Sequence, residues 1–224
     1  KLYQKSILMQ NGKAMVSLEL IKDQNYAVLF WAQYAEQNGN ELVSPYYVTD
    51  NLYNVTLKTG DFLKSNDDKR EAFSGRIYLS NVNASISEDI VLGRAVAQIN
   101  IATTLPDPDD FYEVKLNKSK VVVSKAGSAF NVALQEASGE QTITFNDGVV
   151  PSGQLTVSGK SYEYAAMNYI FASGNVGVAF DIATEAHGTV TTEEIPEIPV
   201  QTNFRTNIVG NLLTTEAKYN VTLD

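Results

Sequence analysis

The sequence predicts an all-β chain built as a sandwich or a barrel. Three observations carry that prediction. Apolar and polar residues alternate with period two along many short stretches. Clusters of Asn, Asp, Ser and Gly separate those stretches. Helical periodicity is weak throughout.

The alternating stretches follow one another along the whole chain. Ala14 to Leu20 places Leu18 and Leu20 in rough alternation. Tyr26 to Tyr34 (YAVLFWAQY) is a dense aromatic run, long enough for a central strand buried on both faces. Asn54 to Lys58 and Arg76 to Val82 alternate cleanly. Arg94 to Thr103 sets Ala95, Ala97, Ile99 and Ile101 on one face, with Gln98 and Asn100 on the other.

The second half repeats the pattern in Lys120–Ser124, Ala129–Gln135, Gln141–Phe145, Gln154–Ser158, Asn175–Ile182 and Tyr219–Leu223. Turn signals lie between these runs, at Asn38-Gly39-Asn40, Ser138-Gly139, Asn146-Asp147-Gly148, Ser152-Gly153 and Ser158-Gly159. Asn66 to Phe73 reads as one or two helical turns capped by Asn66 or Asp67. Glu163 to Ala172 fits neither period well, and both helix and strand stay open there.

The 224 residues allow one large domain or two small ones, at about 100–200 residues per domain. The acidic, Pro-bearing stretch Pro106 to Asp110 marks an exposed connection. A boundary is expected between about Asp89 and Asp110, which gives domains at 1–91 and 92–224. Thr189 to Pro199 reads as a second irregular, polar connection.

Charge and composition exclude several functions. Seventeen basic residues against 26 acidic ones give a formal net charge of −9. A general nucleic-acid binder needs clustered Lys and Arg, so no nucleic-acid partner is expected. No apolar run reaches the roughly 18 residues of a spanning helix. The absence of Cys removes disulfides, thiolate metal sites and cysteine nucleophiles. The chain starts at Lys1 without Met, which reads as a processed or trimmed chain.

No motif for catalysis emerges. His187, the one histidine, has no nucleophile or orienting carboxylate placed for it. Asp107, Asp109 and Asp110, with the pair Asp67-Asp68, lack the Gly turn and closing Glu of a calcium loop. Glu193, Glu194 and Glu197 stand too close along an extended segment to face each other across a cleft. The phosphate-cradling and common hydrolase signatures are missing. The chain is therefore expected to be no enzyme, with no metal and no cofactor. Tyr46 and Tyr47 follow Pro45 in a polar loop, and exposure is expected there.

Four stretches together resemble the fimbrillin-type cell-surface adhesins of Bacteroides-like bacteria. Tyr26 to Ala32 resembles their "Y-x-hydrophobic-hydrophobic-F-W-A" strand. Glu71-Ala72-Phe73-Ser74-Gly75 is similar to their "D-A-F-x-G" element, with Glu71 where the pattern has Asp. Arg94 to Asn100 resembles their "R-x-x-A-Q-hydrophobic-N" strand. Asn203 to Thr214 (NFRTNIVGNLLT) is similar to their "N-[YF]-R-T-N-I-x-G-x-L-L-T" signature.

The resemblance implies two tandem transthyretin-like Greek-key β-sandwich domains. It also implies a lipoprotein displayed on the cell outer membrane or extracellular surface, within a fimbrium. The partners it implies are other fimbrial subunits, in a homo- or heteropolymer, and a host or bacterial surface glycan or protein. Contact with the membrane would be only through a removed N-terminal lipid anchor. Assembly would follow by β-augmentation, in which a neighbour's strand fills a groove.

Val16, Leu18, Leu20, Val28 and Phe30 are the candidate groove residues. Tyr219, Val221 and Leu223 form a candidate donated or core strand. Within Asn203 to Thr214, Gly210 reads as a bulge or tight bend, Arg205 as an internal polar partner, and Leu212 and Leu213 as core. The alternative reading is a carbohydrate-binding surface lipoprotein of a glycan-uptake system, with Tyr46 and Tyr47 as its ring contacts.

Overall fold

The computed structural model describes residues 3–39, 41–104, 115–185, 188–213 and 218–224. The described strands of the first half are β1 (Gln24–Gln33), β2 (Glu36–Asn38), β3 (Glu41–Val43), β4 (Tyr47–Val48), β5 (Val55–Leu57), β6 (Ala72–Val82), β7 (Gly93–Arg94) and β8 (Ala97–Thr103). Those of the second half are β9 (Leu116–Ala126), β10 (Ala129–Asn131), β11 (Glu136–Ser138), β12 (Gln141–Val149), β13 (Gln154–Val157), β14 (Lys160–Ile170), β15 (Val176–Thr184), β16 (Gly188–Thr191), β17 (Ile195–Ile198), β18 (Arg205–Asn211) and β19 (Lys218–Leu223). One 3-10 turn, Asp68–Arg70, is the only helical element among the described residues.

The strands form four sheets and one hairpin. Their orders are β1-β6-β7, then β11-β10-β5-β4, then β12-β9-β15-β16 with β17 also on β15, and finally β13-β14-β8-β18-β19. The hairpin is β2-β3. The expected all-β class is found. The expected pair of tandem transthyretin-like sandwiches is not: the sheets stand as a four-blade, β-propeller-like ring.

The reason lies in the core. One hydrophobic cluster takes buried residues from every sheet, including Ala72, Phe130, Phe145, Val178, Ile99 and Ile208. The second sheet also joins β4 and β5 to β10 and β11 across a long stretch of sequence. Period two tells which face of a strand is apolar. It does not tell which other sheet that face meets.

Individual strands carry the same lesson. In β8, Ala97, Ile99 and Ile101 enter the main cluster, as the alternation predicts. The opposite face is buried too: Gln98 is 7% exposed and Asn100 is 0% exposed. These polar groups form a ladder. Gln98 Nε2 donates to Asn100 Oδ1 at 2.8 Å, and Asn100 Nδ2 donates to Asn207 Oδ1 at 2.7 Å. Asn207 Nδ2 then donates to Asp224 Oδ2 at 2.6 Å. Buried amides require such partners.

The ladder spans β8, β18 and the end of β19, so it pins their register. Asn207→Leu leaves the buried Asn100 Nδ2 without its acceptor and removes the bond to the exposed Asp224 carboxylate. The expected cost is about 1–3 kcal/mol, read as a lower urea midpoint, with faster amide exchange in β19. An unchanged β19 exchange rate would show that the ladder does not hold this strand.

Other expectations are corrected by pairing. Ala14 to Leu20 belongs to no strand, because no neighbour pairs with it among the described residues. The Tyr26 to Tyr34 run forms β1, but as a half-buried edge strand and not a central one. Asn66 to Phe73 gives only the single 3-10 turn, capped by Asp67, whose side chain accepts from Lys69 N. Glu163 to Ala172 falls mostly in a strand, β14. Thr189 to Pro199 is less irregular than its composition suggests, since β17 lies in it and pairs with β15. The Ser158-Gly159 turn joins β13 to β14, with φ of 50° and 77°, as a two-residue hairpin requires.

Candidate functional site

β1 pairs with β6 along one side, from Gln24↔Val82 to Gln33↔Ala72. Its other side pairs with nothing among the described residues. One face of β1 enters the core. Trp31 lies 5.3 Å from Tyr47, 6.1 Å from Phe130 and 6.5 Å from Phe171, measured between ring centroids. The other face carries Val28 and Phe30, both half-buried.

Val28 sits opposite Ile77, and Phe30 sits opposite Gly75. A Cβ on Gly75 would stand 2.6 Å from Leu92 Cδ2 and 3.4 Å from Ile90 Cγ2. Residues 90–92 therefore lie against this face at Gly75, where a larger residue would make the Leu92 side chain shift. An unpaired strand edge beside a half-covered apolar face is what strand addition needs: main-chain donors and acceptors for affinity, side-chain pockets for register.

The segment before β1 is the second part of the site. Among the described residues, the backbone bonds within residues 3–22 close one turn, with Gln10 N to Lys13 O at 2.8 Å and Lys13 N to Gln10 O at 3.0 Å. Several of its apolar side chains face solvent: Tyr3 is 72% exposed, Leu8 68%, Met15 92% and Ile21 75%. Side-chain tethers come from Gln4 Nε2 to Thr49 O at 3.1 Å and from Tyr26 Oη to the backbone of Ile21.

The five proposed groove residues thus divide. Val28 and Phe30 lie on one face of an open edge. Val16 and Leu20 are half-buried and Leu18 is exposed, all in the unpaired arm. Tyr219, Val221 and Leu223 lie on β19, paired with Gly210, Ile208 and Thr206 of β18. They form an edge strand in their own chain, with Val221 against the core and Tyr219 and Leu223 partly exposed.

Tyr46 and Tyr47 are the clearest correction among the site residues. They are 9% and 2% exposed and belong to the core. Tyr46 Oη donates to Asp67 Oδ2 at 2.6 Å, and Tyr47 Oη donates to Arg70 O at 2.5 Å. Burial pushes both phenols above their ordinary range, with the Asp67 hydrogen bond adding to the effect on Tyr46. The polar loop does not expose them, because the 3-10 turn offers partners for both hydroxyls.

Arg70 is buried beside them and was not visible as a special residue in the sequence. Its guanidinium carbon stands 5.6 Å from the Tyr46 ring centroid and 5.2 Å from that of Phe145. Its nearest acid is Asp67, with Nε to Oδ2 at 3.9 Å. Burial lowers its pKa, though Asp67 opposes that shift.

The four sequence stretches meet in space as scaffolding. Arg94 Nε and Nη2 both bond Glu71 Oε1, at 2.7 and 2.5 Å. Asn203 Oδ1 accepts from Arg94 N at 3.1 Å, and Asn203 N donates to Val96 O at 3.2 Å. Arg205 is exposed, so the internal polar partner is Asn207 in its place. Gly210 is needed because a Cβ would strike the Lys218 carbonyl of the neighbouring strand, not because the chain bends there. Leu212 is buried and Leu213 packs against the core, as expected.

The carboxylates make local bonds. Asp67 caps the turn. Glu197 bonds Asn175 Nδ2 and Lys125 Nζ, each at 3.3 Å, and those bonds lower its pKa. Among the described residues no group of three or more His, Cys, Asp or Glu could hold a metal ion. His187, Asp107, Asp109 and Asp110 lie outside the described residues. No described helix is long and apolar enough to cross a membrane.

No curated protein matches the sequence. Solved structures do. A protein described as a "putative cell adhesion protein" from Bacteroides ovatus is similar at a TM-score of 0.51 and 12% identity, over 92% of this chain and 69% of that one. "Putative polysaccharide binding proteins" from Bacteroides thetaiotaomicron match at a TM-score of 0.49 and 12% identity, over 90% of this chain and 77% of that one. A "putative adhesin" from the same species matches at 0.48 and 12% identity, over 94% of this chain and 79% of that one. A fimbrial protein from Bacteroides vulgatus is a further neighbour. The first of these likenesses is one of fold. A family model matches residues 2–224, so the chain belongs to the family of unknown function DUF6562.

Proposed function

We propose that this chain is a non-catalytic, surface-displayed adhesin or fimbrial subunit that assembles by strand addition at β1. The observation that carries the reading is the pairing of two features. β1 is a ten-residue strand with one open edge beside the half-buried Val28 and Phe30. It follows an arm at 3–22 with exposed apolar residues and no strand partner among the described residues. An arm from one copy on the β1 edge of the next would satisfy both. The descriptions of the structural neighbours support a cell-surface, adhesive role in the coarse sense. Display at the outer membrane through an N-terminal lipid anchor belongs to the same proposal.

The test is a size analysis against concentration. The chain should form larger species as its concentration rises. A form lacking residues 3–22 should stay monomeric, yet bind a synthetic peptide of residues 3–22. Phe30→Glu should abolish that binding by placing a charge on the docking face. Two monomers that ignore the peptide would sink the assembly reading.

A further inference from the structure

A cavity of about 350 Å³ opens between the loop at 59–63 and β12. It is in the lower part of the size range of small-ligand sites. Five lining residues carry hydrogen-bonding side chains: Thr59, Asp61, Thr142, Thr144 and Asn146. The three threonine hydroxyls and the Asp61 carboxylate are exposed and make no hydrogen bond to another described residue. Asn146 spends only its Nδ2, on Asp61 O at 3.4 Å, which leaves Oδ1 available.

The walls are fixed by backbone bonds. Asn146 N donates to Leu63 O at 2.7 Å, and Ser65 N donates to Asn146 O at 2.8 Å. Thr142 and Thr144 are two residues apart on one strand, so they share a face and stand about 7 Å apart. Phe62 is 50% exposed and lies against Gly60, another lining residue. Gly60 has a φ of 149°, and a Cβ there would stand 3.0 Å from the Phe62 ring.

We propose that this cavity binds one neutral saccharide unit. Asp61 and Asn146 Oδ1 accept hydrogen bonds from sugar hydroxyls. The threonine hydroxyls of β12 donate or accept along the opposite wall. Phe62 does not line the cavity itself, but its exposed ring beside the lining residue Gly60 offers a surface for a C–H face next to it. No Lys, Arg or His lines the cavity, and the Asp61 carboxylate repels anions, so an acidic sugar is disfavoured. The assignment deepens the adhesive reading and rests on it for the place where such a ligand is met. It does not rest on strand addition.

The test is amide NMR on the full chain, titrated separately with methyl glycosides of glucose, galactose and mannose, and with glucuronate. At least one neutral glycoside should shift the amides of Gly60, Thr142, Thr144 and Asn146. Asp61→Ala and Phe62→Ala, both at exposed positions, should each weaken that binding about tenfold or more. Both should keep the parent melting temperature, and Asp61→Ala should keep the capture of the 3–22 peptide. No shift with any of the three neutral glycosides, shifts confined to other strands, or tighter binding of glucuronate overturns the assignment. Failed peptide capture with intact sugar binding would sink strand addition alone.

Discussion

Between pH 10 and pH 12 this protein should lose stability steeply, and three buried tyrosines should drive the loss. Tyr46, Tyr47 and Tyr169 are 9%, 2% and 6% exposed. Burial raises all three above the ordinary phenol value of 10.0, with Tyr169 pushed up to about 12. In the unfolded chain they ionise near 10. The folded state therefore holds protons that the unfolded state releases. The stabilisation is fully present below pH 10 and is lost as the pH rises toward the folded-state values.

Each tyrosine removes up to about 1.4 kcal/mol per pH unit over that window. Total stabilities of domains are about 5–15 kcal/mol, so three such groups, at most about 8 kcal/mol together over two pH units, remove a large share of it. Urea midpoints measured at half-unit steps from pH 8 to 12 should be flat at first and then fall steeply. Tyr47→Phe should start lower, because the bond to Arg70 O is gone, but should fall with a shallower slope. Equal slopes for the two proteins would remove Tyr47 from this account.

Phe130→Ala should be the most damaging of the core truncations, at about 3–5 kcal/mol. Phe130 is fully buried on β10. Its ring lies 5.7 Å from Phe171 in a stacked pair and 6.1 Å from Trp31. Trp31 comes from β1, and both Trp31 and Phe171 reach Tyr47 on β4. The ring therefore joins side chains from separate sheets, and its loss opens a cavity where they converge. The measurement is the urea midpoint, with Phe62→Ala as the exposed control, expected within about 0.5 kcal/mol of the parent. Comparable losses for the two variants would show that this cluster does not organise the core.

The residues themselves show how far the sequence could be read. β8, β9, β12 and β15 were legible because each turns one apolar face to a packed neighbour, and period two records that. The scaffold role of Asn203 to Leu213 was legible as well, through the apolar pair Leu212 and Leu213. Alternation alone could not reveal Ala14 to Leu20 as unpaired, since pairing is a property of the neighbour. Nor could it show that the apolar faces meet in one ring of sheets, because that depends on contacts far apart in sequence. The Tyr46-Tyr47 error has another cause. A polar loop usually means exposure, but here Asp67 and the Arg70 carbonyl satisfy both hydroxyls, and burial then costs little. Arg70 and the cavity at Asp61 left no signal, since both arise from loops folding onto distant strands.

The parallel pairing of β8 with β18 has a consequence for how the molecule comes into being. Arg205 lies beside Gln98 and Gly210 beside Thr103, more than 100 residues apart along the chain. Val55 likewise waits for Phe130. Loop closure over such distances is costly before any contact rewards it, and chains rich in such contacts fold slowly. The fourth sheet cannot close until β18 has left the ribosome, and β8 meanwhile has only β14 to shield its buried Gln98 and Asn100. Most of the chain must therefore be kept soluble while unfinished, and its rate of maturation is set by its last strands.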